Sequence, residues 1–279
     1  MSHARPTVAD KRRAFRDLHS SGCFVLPNPW DVGSALYLQG LGFKALATTS
    51  SGCAWSHGRN DGGMTREAVL EHLAQLVAAT DVPVNADFES GFATSPAGVA
   101  QSVTLAVATG IAGVSIEDST GDAASPLYTL EVAVERMRAA RRAIDAAGGD
   151  ALLVGRAECF LVGRPDLEQT ITRLRAYANA GADCLYAPGI RTREQIGAIV
   201  TAVAPKPVNL LVGWASELSL ADIAALGVRR VSVGGALART AWGGFMRAAK
   251  SLAEGRFTEF VGAASGQELD TFFRKGGAR

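Results

Sequence analysis

A chain of 279 residues with 48% hydrophobic side chains and 31 glycines has the size and make-up of one large α/β domain, or two small ones, with ample core. The balance of 28 basic against 27 acidic residues leaves +1, which argues against a surface built for nucleic acid or another polyanion. No apolar run approaches a membrane span, and Met1-Ser2-His3-Ala4-Arg5-Pro6 lacks the apolar centre of a signal peptide, so the expectation is a cytoplasmic protein with no membrane partner. Cys23, Cys53, Cys159 and Cys184 are scattered without paired spacing, which indicates neither a disulfide framework nor a zinc site.

In chain order, Val8 to Ser21 reads as an amphipathic helix ended by Gly22, and Cys23 to Leu26 as a short buried strand stopped by Pro27-Asn28-Pro29. Val32 to Gln39 is expected to be helical and Lys44 to Thr48 extended. The alternation continues with a helix at Thr65 to Ala79, a strand at Val82 to Asp87, a helix at Ser95 to Ala108 and a strand at Val114 to Glu117. Leu130 to Ala147 is then helical, Leu152 to Ala157 extended, Asp166 to Ala180 helical and Cys184 to Ala187 extended. Arg191 to Val203 is helical, Val208 to Leu211 extended, Ser219 to Leu226 helical and Arg230 to Val233 extended.

Eight short strands separated by helices predict a (β/α)8 TIM-type barrel. A cryptic repeat supports the count: Gly42, Gly110, Gly181 and Gly227 each end a helix two or three residues before an even-numbered strand. Strands three and seven both open with Pro-Val-Asn, at Pro83 and Pro207. No GxGxxG follows the first strand, which weakens a dinucleotide-binding reading. The barrel with its N-terminal helix spans 1–245. A helical tail, 246–279, carries Phe257, Phe260, Leu269, Phe272 and Phe273, too apolar for a solvated terminus. It is expected to pack on a neighbouring subunit or on the barrel, with Lys275 to Arg279 disordered.

Chemistry in such a barrel sits at the C-terminal strand ends. Val82-Pro83-Val84-Asn85-Ala86-Asp87-Phe88-Glu89 starts apolar and ends polar, and strand alternation puts Asn85, Asp87 and, if the extension continues, Glu89 on one side. The other strand ends bring Asn28, Trp30 and Asp31, then Ser50, Ser51 and Gly52, then Glu117 and Asp118, Arg156 and Glu158, and Asn209. Several carboxylates facing one cavity repel unless a cation sits among them, and an all-oxygen set suits Mg²⁺ or Mn²⁺. Asp87 is the expected inner ligand, with Glu117 and Asp61 holding metal-bound waters. Arg156 is a planar donor for a substrate carboxylate, or else the partner of Glu158 or Glu117. Thr48-Thr49-Ser50-Ser51-Gly52 offers backbone N–H groups to an anion, and Gly234-Gly235 at a helix start does the same or merely allows close packing. His57 reads as a surface or packing histidine, and Cys53 and Cys159 as small packing residues.

Taken together, Asn28-Pro29-Trp30-Asp31, Ser51-Gly52, Asp61-Gly62, the Val82 to Asp87 stretch, Gly91-Phe92, Gly113 to Asp118, Arg156-Ala157-Glu158 and Ala180 to Asp183 resemble the isocitrate lyase/phosphoenolpyruvate mutase superfamily. The likeness runs from about Phe24 to about Arg239. It implies a (β/α)8 barrel, Mg²⁺ at Asp87, Glu117 and Asp61, and a small 2-oxo or 2-hydroxy carboxylate held by Ser51, Gly52 and Arg156. Trp30, Asp31 and Asn209 are further substrate-binding candidates, and Arg156, Glu117 and Glu89 the catalytic ones. The resemblance also implies a homodimer or homotetramer that exchanges a C-terminal helix.

Two departures shape the expected reaction. Asn85 stands where the family's first strand-three aspartate is expected. Ser119 to Pro126 replaces the lyases' Lys-[Lys/Arg]-Cys-Gly-His motif, leaving Glu89, His57 and Glu158 as alternatives for the lost acid/base cysteine. The expected activity is a Mg²⁺-dependent C–C lyase or decarboxylase working through an enolate. The alternatives are a P–C bond enzyme, a phosphonopyruvate hydrolase or mutase, and a non-catalytic 2-oxo acid binder.

Overall fold

The computed structural model describes residues Ala4 to Gly277. The strands are β1 (Phe24–Leu26), β2 (Leu46–Ala47), β3 (Val84–Asp87), β4 (Gly113–Glu117), β5 (Leu152–Arg156), β6 (Cys184–Tyr186), β7 (Val208–Leu211) and β8 (Arg230–Ser232). All neighbours pair in parallel, in the order β1-β8-β7-β6-β5-β4-β3-β2. The β1–β2 seam is closed past the strand ends, where Ala47 N–H donates to Pro27 O at 3.1 Å and Asn28 Nδ2 to Thr48 O at 2.8 Å. The expected barrel is the one observed.

The helices around it are α1 (Val8–Leu18), α2 (Val32–Gly40), α3 (Ser50–Ser56), α4 (Arg66–Ala79), α5 (Pro96–Ala108) and α6 (Leu130–Ala146). They continue with α7 (Leu167–Asn179), α8 (Arg193–Val203), α9 (Leu220–Ala225), α10 (Ala236–Ala253) and α11 (Gly266–Gly277). Most start on a Ser, Thr or Asp whose side chain accepts the third helical N–H, as Thr65, Ser95, Thr129 and Asp166 do. Short strands and tight helix-to-strand turns leave little slack, so the caps fix where each strand end points.

The core lies between the sheet and its ring of helices, with Val84, Ala86, Val114, Ile116, Leu153 and Leu185 in one cluster. A second cluster seals the barrel floor: Phe15 of α1 packs, fully buried, on Leu26, Ala47, Ala112 and Leu152. Gly113 permits that plug. A Cβ there would sit 2.8 Å from Phe15 Cε1 and 2.7 Å from Asn85 Oδ1.

Three features differ from the sequence expectation. Ser50–Ser56 is helical because Thr49 caps it, its hydroxyl accepting from Gly52 N at 3.3 Å, and no apolar periodicity announces so short a turn of helix. Helix α10 runs unbroken through the 245/246 boundary. Helix α11 continues to Gly277, into the stretch expected to be disordered, of which Ala278 and Arg279 lie outside the described residues, as do Met1 to His3. Within the single chain α11 rests on α2: the Phe272 and Tyr37 rings are 4.9 Å apart, and a Cβ on Gly40 would come within 2.6 Å of Phe272. Phe245, Phe257, Phe260 and Val261 remain exposed. Among the described residues no helix is long and apolar enough to cross a membrane.

Candidate active site

The strand ends open into a cavity of about 160 Å³. Asn28, Thr48, Thr49, Ser50, Ser51, Asp61, Asn85, Asp87, Ser115, Arg156, Tyr186, Asn209, Arg230, Ser232, Gly234 and Gly235 line it, with Leu26, Ala47, Leu161 and Leu211 as the apolar part. Its polar centre is Arg156, the last residue of β5. Arg156 Nη1 lies 3.1 Å from Asp87 Oδ1 and 3.3 Å from Glu117 Oε2, and its Nε donates to Glu158 Oε1. The guanidinium stacks toward the Tyr186 ring at 5.2 Å, and its Nη2 donates to none of the described residues. Of the two readings of Arg156, the pairing with Glu158 and Glu117 is present, and the Nη2 edge is left without a partner among the described residues.

Asp87 is fixed from both sides. Its backbone N–H donates to Thr48 Oγ1 at 2.8 Å, and its Oδ2 accepts from Ser50 N, at the start of α3, at 2.9 Å. Strand β3 ends there. Glu89 takes φ +48°, so the extension that would have continued the alternation stops, and Glu89 O instead accepts the Glu117 N–H at 3.0 Å. A left-handed glutamate is strained, and such strain is held where surrounding contacts over-determine it.

Asp87, Glu117 and Glu158 thus crowd one guanidinium, Asp61 and Glu89 add negative charge beside Asp87, and protonation follows the imbalance. Burial pushes Glu89 up to about 7, with Asp87 and Asp61 adding repulsion. Burial raises Asp61 too, Asp87 next. Glu117 is driven well above the usual carboxylate range by burial; Arg156 opposes this, while Glu158, Asp87 and Glu89 reinforce it. Glu158 is raised by burial against the pull of Arg156. Burial disfavours the Arg156 charge as well, but Glu158 and Glu117 outweigh it and hold the group ionised.

A surplus of buried carboxylate oxygens around a single cation fits a hard divalent ion. Among the described residues no three His, Cys, Asp or Glu side chains converge into a ready-made cage.

The remaining predicted residues fall as follows. Ser51 lines the cavity, its Oγ 3.1 Å from Thr49 Oγ1. Gly52 is buried one turn into α3, where a Cβ would meet Thr49 at 2.7 Å and Trp30 Cβ at 2.9 Å; Trp30 is half-buried behind it. Asp31 lies outside the cavity and caps α2, its Oδ1 accepting from Ser34 N at 2.7 Å. Asn209 lies deeper, donating to Ser232 Oγ at 3.0 Å and accepting from Arg230 Nε at 2.9 Å. Asn28 Oδ1 accepts from Val233 N and Gly234 N, tying the start of α10 to β1. Asp118 points away from the mouth. Its Oδ1 accepts the Glu158 N–H at 2.8 Å, and its Oδ2 accepts from Arg173 at 2.9 Å and from Tyr177 at 2.5 Å. Exposed His57 closes α3, bonded to Cys53 O at 2.9 Å. Burial pushes the Cys53 thiol up to about 11 and raises Cys159, as packing cysteines require. Sequence reading passed over Tyr186, Arg230 and Ser232; the alternation Arg230-Val231-Ser232, polar residues flanking an apolar one on a buried strand, was the available signal.

A family profile described as phosphoenolpyruvate phosphomutase matches residues 15–253. A crystal structure from Burkholderia cenocepacia, described provisionally as a lyase/mutase, superposes with a TM-score of 0.92 at 48% identity, covering 96% of this chain and 97% of that one. An uncharacterized protein of Mycobacterium tuberculosis is 34% identical over 223 residues, 79% of this chain and 81% of its own. An oxaloacetate decarboxylase of Paraburkholderia xenovorans is 31% identical over 235 residues, 81% of this chain and 75% of its own. With the barrel and the carboxylate-ringed arginine in place, the profile match over most of the chain makes it a member of the phosphoenolpyruvate mutase/isocitrate lyase enzyme superfamily.

Proposed function

We propose that this protein is a divalent-metal-dependent carbon–carbon lyase or decarboxylase acting on a small 2-oxo acid through an enolate. The observation that carries the reading is the ring of surplus carboxylates around Arg156 at the barrel mouth. The similarity to an oxaloacetate decarboxylase supports the substrate class. Asp87, Glu117 and Asp61 are the residues that would hold Mg²⁺ or Mn²⁺, which when bound would supply Lewis acidity toward negative charge at the C2 oxygen.

The chain's own groups do the rest. The free Nη2 edge of Arg156 donates to a substrate carboxylate or C2 oxygen, and its position is over-determined by three carboxylates. Ser51, at the start of α3, and the Gly234-Gly235 turn, at the start of α10, line the same cavity side by side, a Cβ on Gly235 coming within 2.7 Å of Ser51 Oγ, and Gly52 keeps α3 tight against Trp30. Glu89, pushed to about 7 by burial beside Asp87 and Asp61, is the candidate to give a proton back to C3. Asp118 holds Glu158 in place from behind.

The test is turnover of oxaloacetate with Mg²⁺, following pyruvate, CO₂, oxalate and acetate by NMR. Asp87→Ala is expected to lose on the order of a hundredfold or more in kcat. Wild-type rates in that variant, or indifference to chelation, would sink the reading. A P–C bond reaction is the second reading, favoured by the profile match; release of phosphate from phosphonopyruvate would establish it. Against it, the Ser119 to Pro126 segment that follows β4, closed by a Ser119–Leu127 bridge, contains no basic side chain to hold a phosphoryl group.

We further infer a homodimer or homotetramer, supported by the exposed Phe245, Phe257, Phe260 and Val261. A reducing, cytoplasmic setting agrees with four free cysteines.

A further inference from the structure

Below the carboxylate ring the same cavity reaches a second cation. Arg230 opens β8 and is 2% exposed, yet it lines the cavity. Its Nε donates to Asn209 Oδ1 at 2.9 Å, and Nη1 lies 3.3 Å from Asn85 Oδ1 and 3.4 Å from His19 Nε2. All three partners are neutral: two are amides, and burial, with Arg230 next, drives His19 down to about 3. Its Nη2 donates to none of the described residues, and none of their carboxylates pairs with it.

The other buried arginines are settled differently. Arg173 pairs with Asp118, while Arg12 and Arg136 spend their N–H groups on backbone carbonyls. Arg156 has three carboxylates. Arg230 alone among these combines burial, a place on the cavity wall and no anionic partner. An uncompensated guanidinium inside a protein is costly, and an anion delivered to it regains that cost.

Sheet register explains why it lies deep. Glu117, Arg156, Tyr186, Asn209 and Arg230 are successive register partners across β4 to β8. In a barrel of tilted strands such a row winds from the mouth toward the floor, where α1 supplies His19. The cavity therefore has two poles: Arg156 in an acidic ring above, and a lone guanidinium among amides and hydroxyls below.

We propose that Arg230 is a carboxylate subsite at the barrel floor, which makes the enzyme selective for dicarboxylic over monocarboxylic 2-oxo acids. The 2-oxo end lies at Arg156 and Asp87, and the second carboxylate reaches down to Arg230 Nη2. This rests on the 2-oxo acid reading above. The shared chemistry is one carboxylate-sized anion, supplied either by the substrate or by a free anion resident in the floor.

The experiment compares wild type, Arg230→Gln and Asn85→Asp, full chains with Mg²⁺, for binding of oxaloacetate against 2-oxobutyrate, the monocarboxylic acid being read as a ligand and inhibitor, not as a substrate. Melting temperature is also followed against added formate. Arg230→Gln is expected to weaken oxaloacetate by roughly tenfold, the loss of one charged hydrogen bond, with less than about a twofold change for 2-oxobutyrate. Asn85→Asp, which sets a carboxylate about 3.3 Å from the guanidinium as an internal counter-ion, is expected to do the same without removing the cation. It decides the matter should Arg230→Gln fail to fold.

Equal losses for both acids in a variant that melts like wild type would overturn the subsite. Formate stabilisation that disappears in Asn85→Asp, with no preference between the two acids, would assign the floor to a free anion. A wild type that binds no 2-oxo acid would refute the functional reading alone. Formate protection would then still decide the floor site, its absence from wild type overturning it.

Discussion

Arg156 faces three carboxylates with one flat guanidinium: Nε meets Glu158, Nη1 is shared between Asp87 and Glu117, and the Nη2 edge meets none of the described residues. A lysine carries the same charge as a single point and cannot span Glu158, Glu117 and Asp87 together. Arg156→Lys is therefore expected to lower kcat/KM at least tenfold while keeping the fold, measured by steady-state kinetics beside a melting curve. Gly113→Ala tests the floor in the same way. Its new methyl would meet Phe15 and Asn85 below 3 Å, and overpacking of this kind costs about 1–3 kcal/mol in urea unfolding.

At the scale of elements, the short loops between capped helices and strands are what bring the strand ends together. Asp31 shows how a cap and a ligand look alike in sequence. It follows a first strand, where a substrate residue is expected, yet in the fold it forms a capping box with Ser34. Asp31→Ala is expected to cost about 1 kcal/mol of stability and leave KM unchanged; a raised KM with unchanged stability would return it to the substrate. The barrel was legible because its apolar strands and glycine-ended helices repeat in a regular alternation, and Asp87, Glu117 and Arg156 were legible because a charge ending a buried strand has few structural reasons. What stayed hidden had no local signal. The helix at Ser50–Ser56 depends on one threonine cap, Glu89 turns on a positive φ that its neighbours impose, and Arg230 acquires meaning only when β8 is set beside β7 and β3.

For the whole molecule, acid sensitivity follows from histidines that the fold keeps neutral. Burial, with Arg230 second, lowers His19 to about 3, and burial lowers His72 to about 4. Above the unfolded value of 6.5 neither state takes the proton; below it the unfolded chain does and the folded one does not, so this stability is present at neutral pH and drains away as pH falls. His19 alone accounts for up to about 2 kcal/mol at pH 5. The drop in urea midpoint between pH 7.5 and pH 5 should therefore shrink in His19→Gln. Self-association belongs to this scale too. Sedimentation should give a dimer or tetramer, and Phe245→Glu, on the exposed face of α10, should shift it toward monomer.

Helix α1 stoppers the barrel floor with Phe15, so among the described residues the chamber opens at the strand-end mouth. Both fragments of a cleaved substrate must back out through the mouth they came in by, the upper before the lower. Release is then ordered, and the fragment nearest the stopper should compete with substrate while the other does not, a pattern that product-inhibition kinetics can read directly.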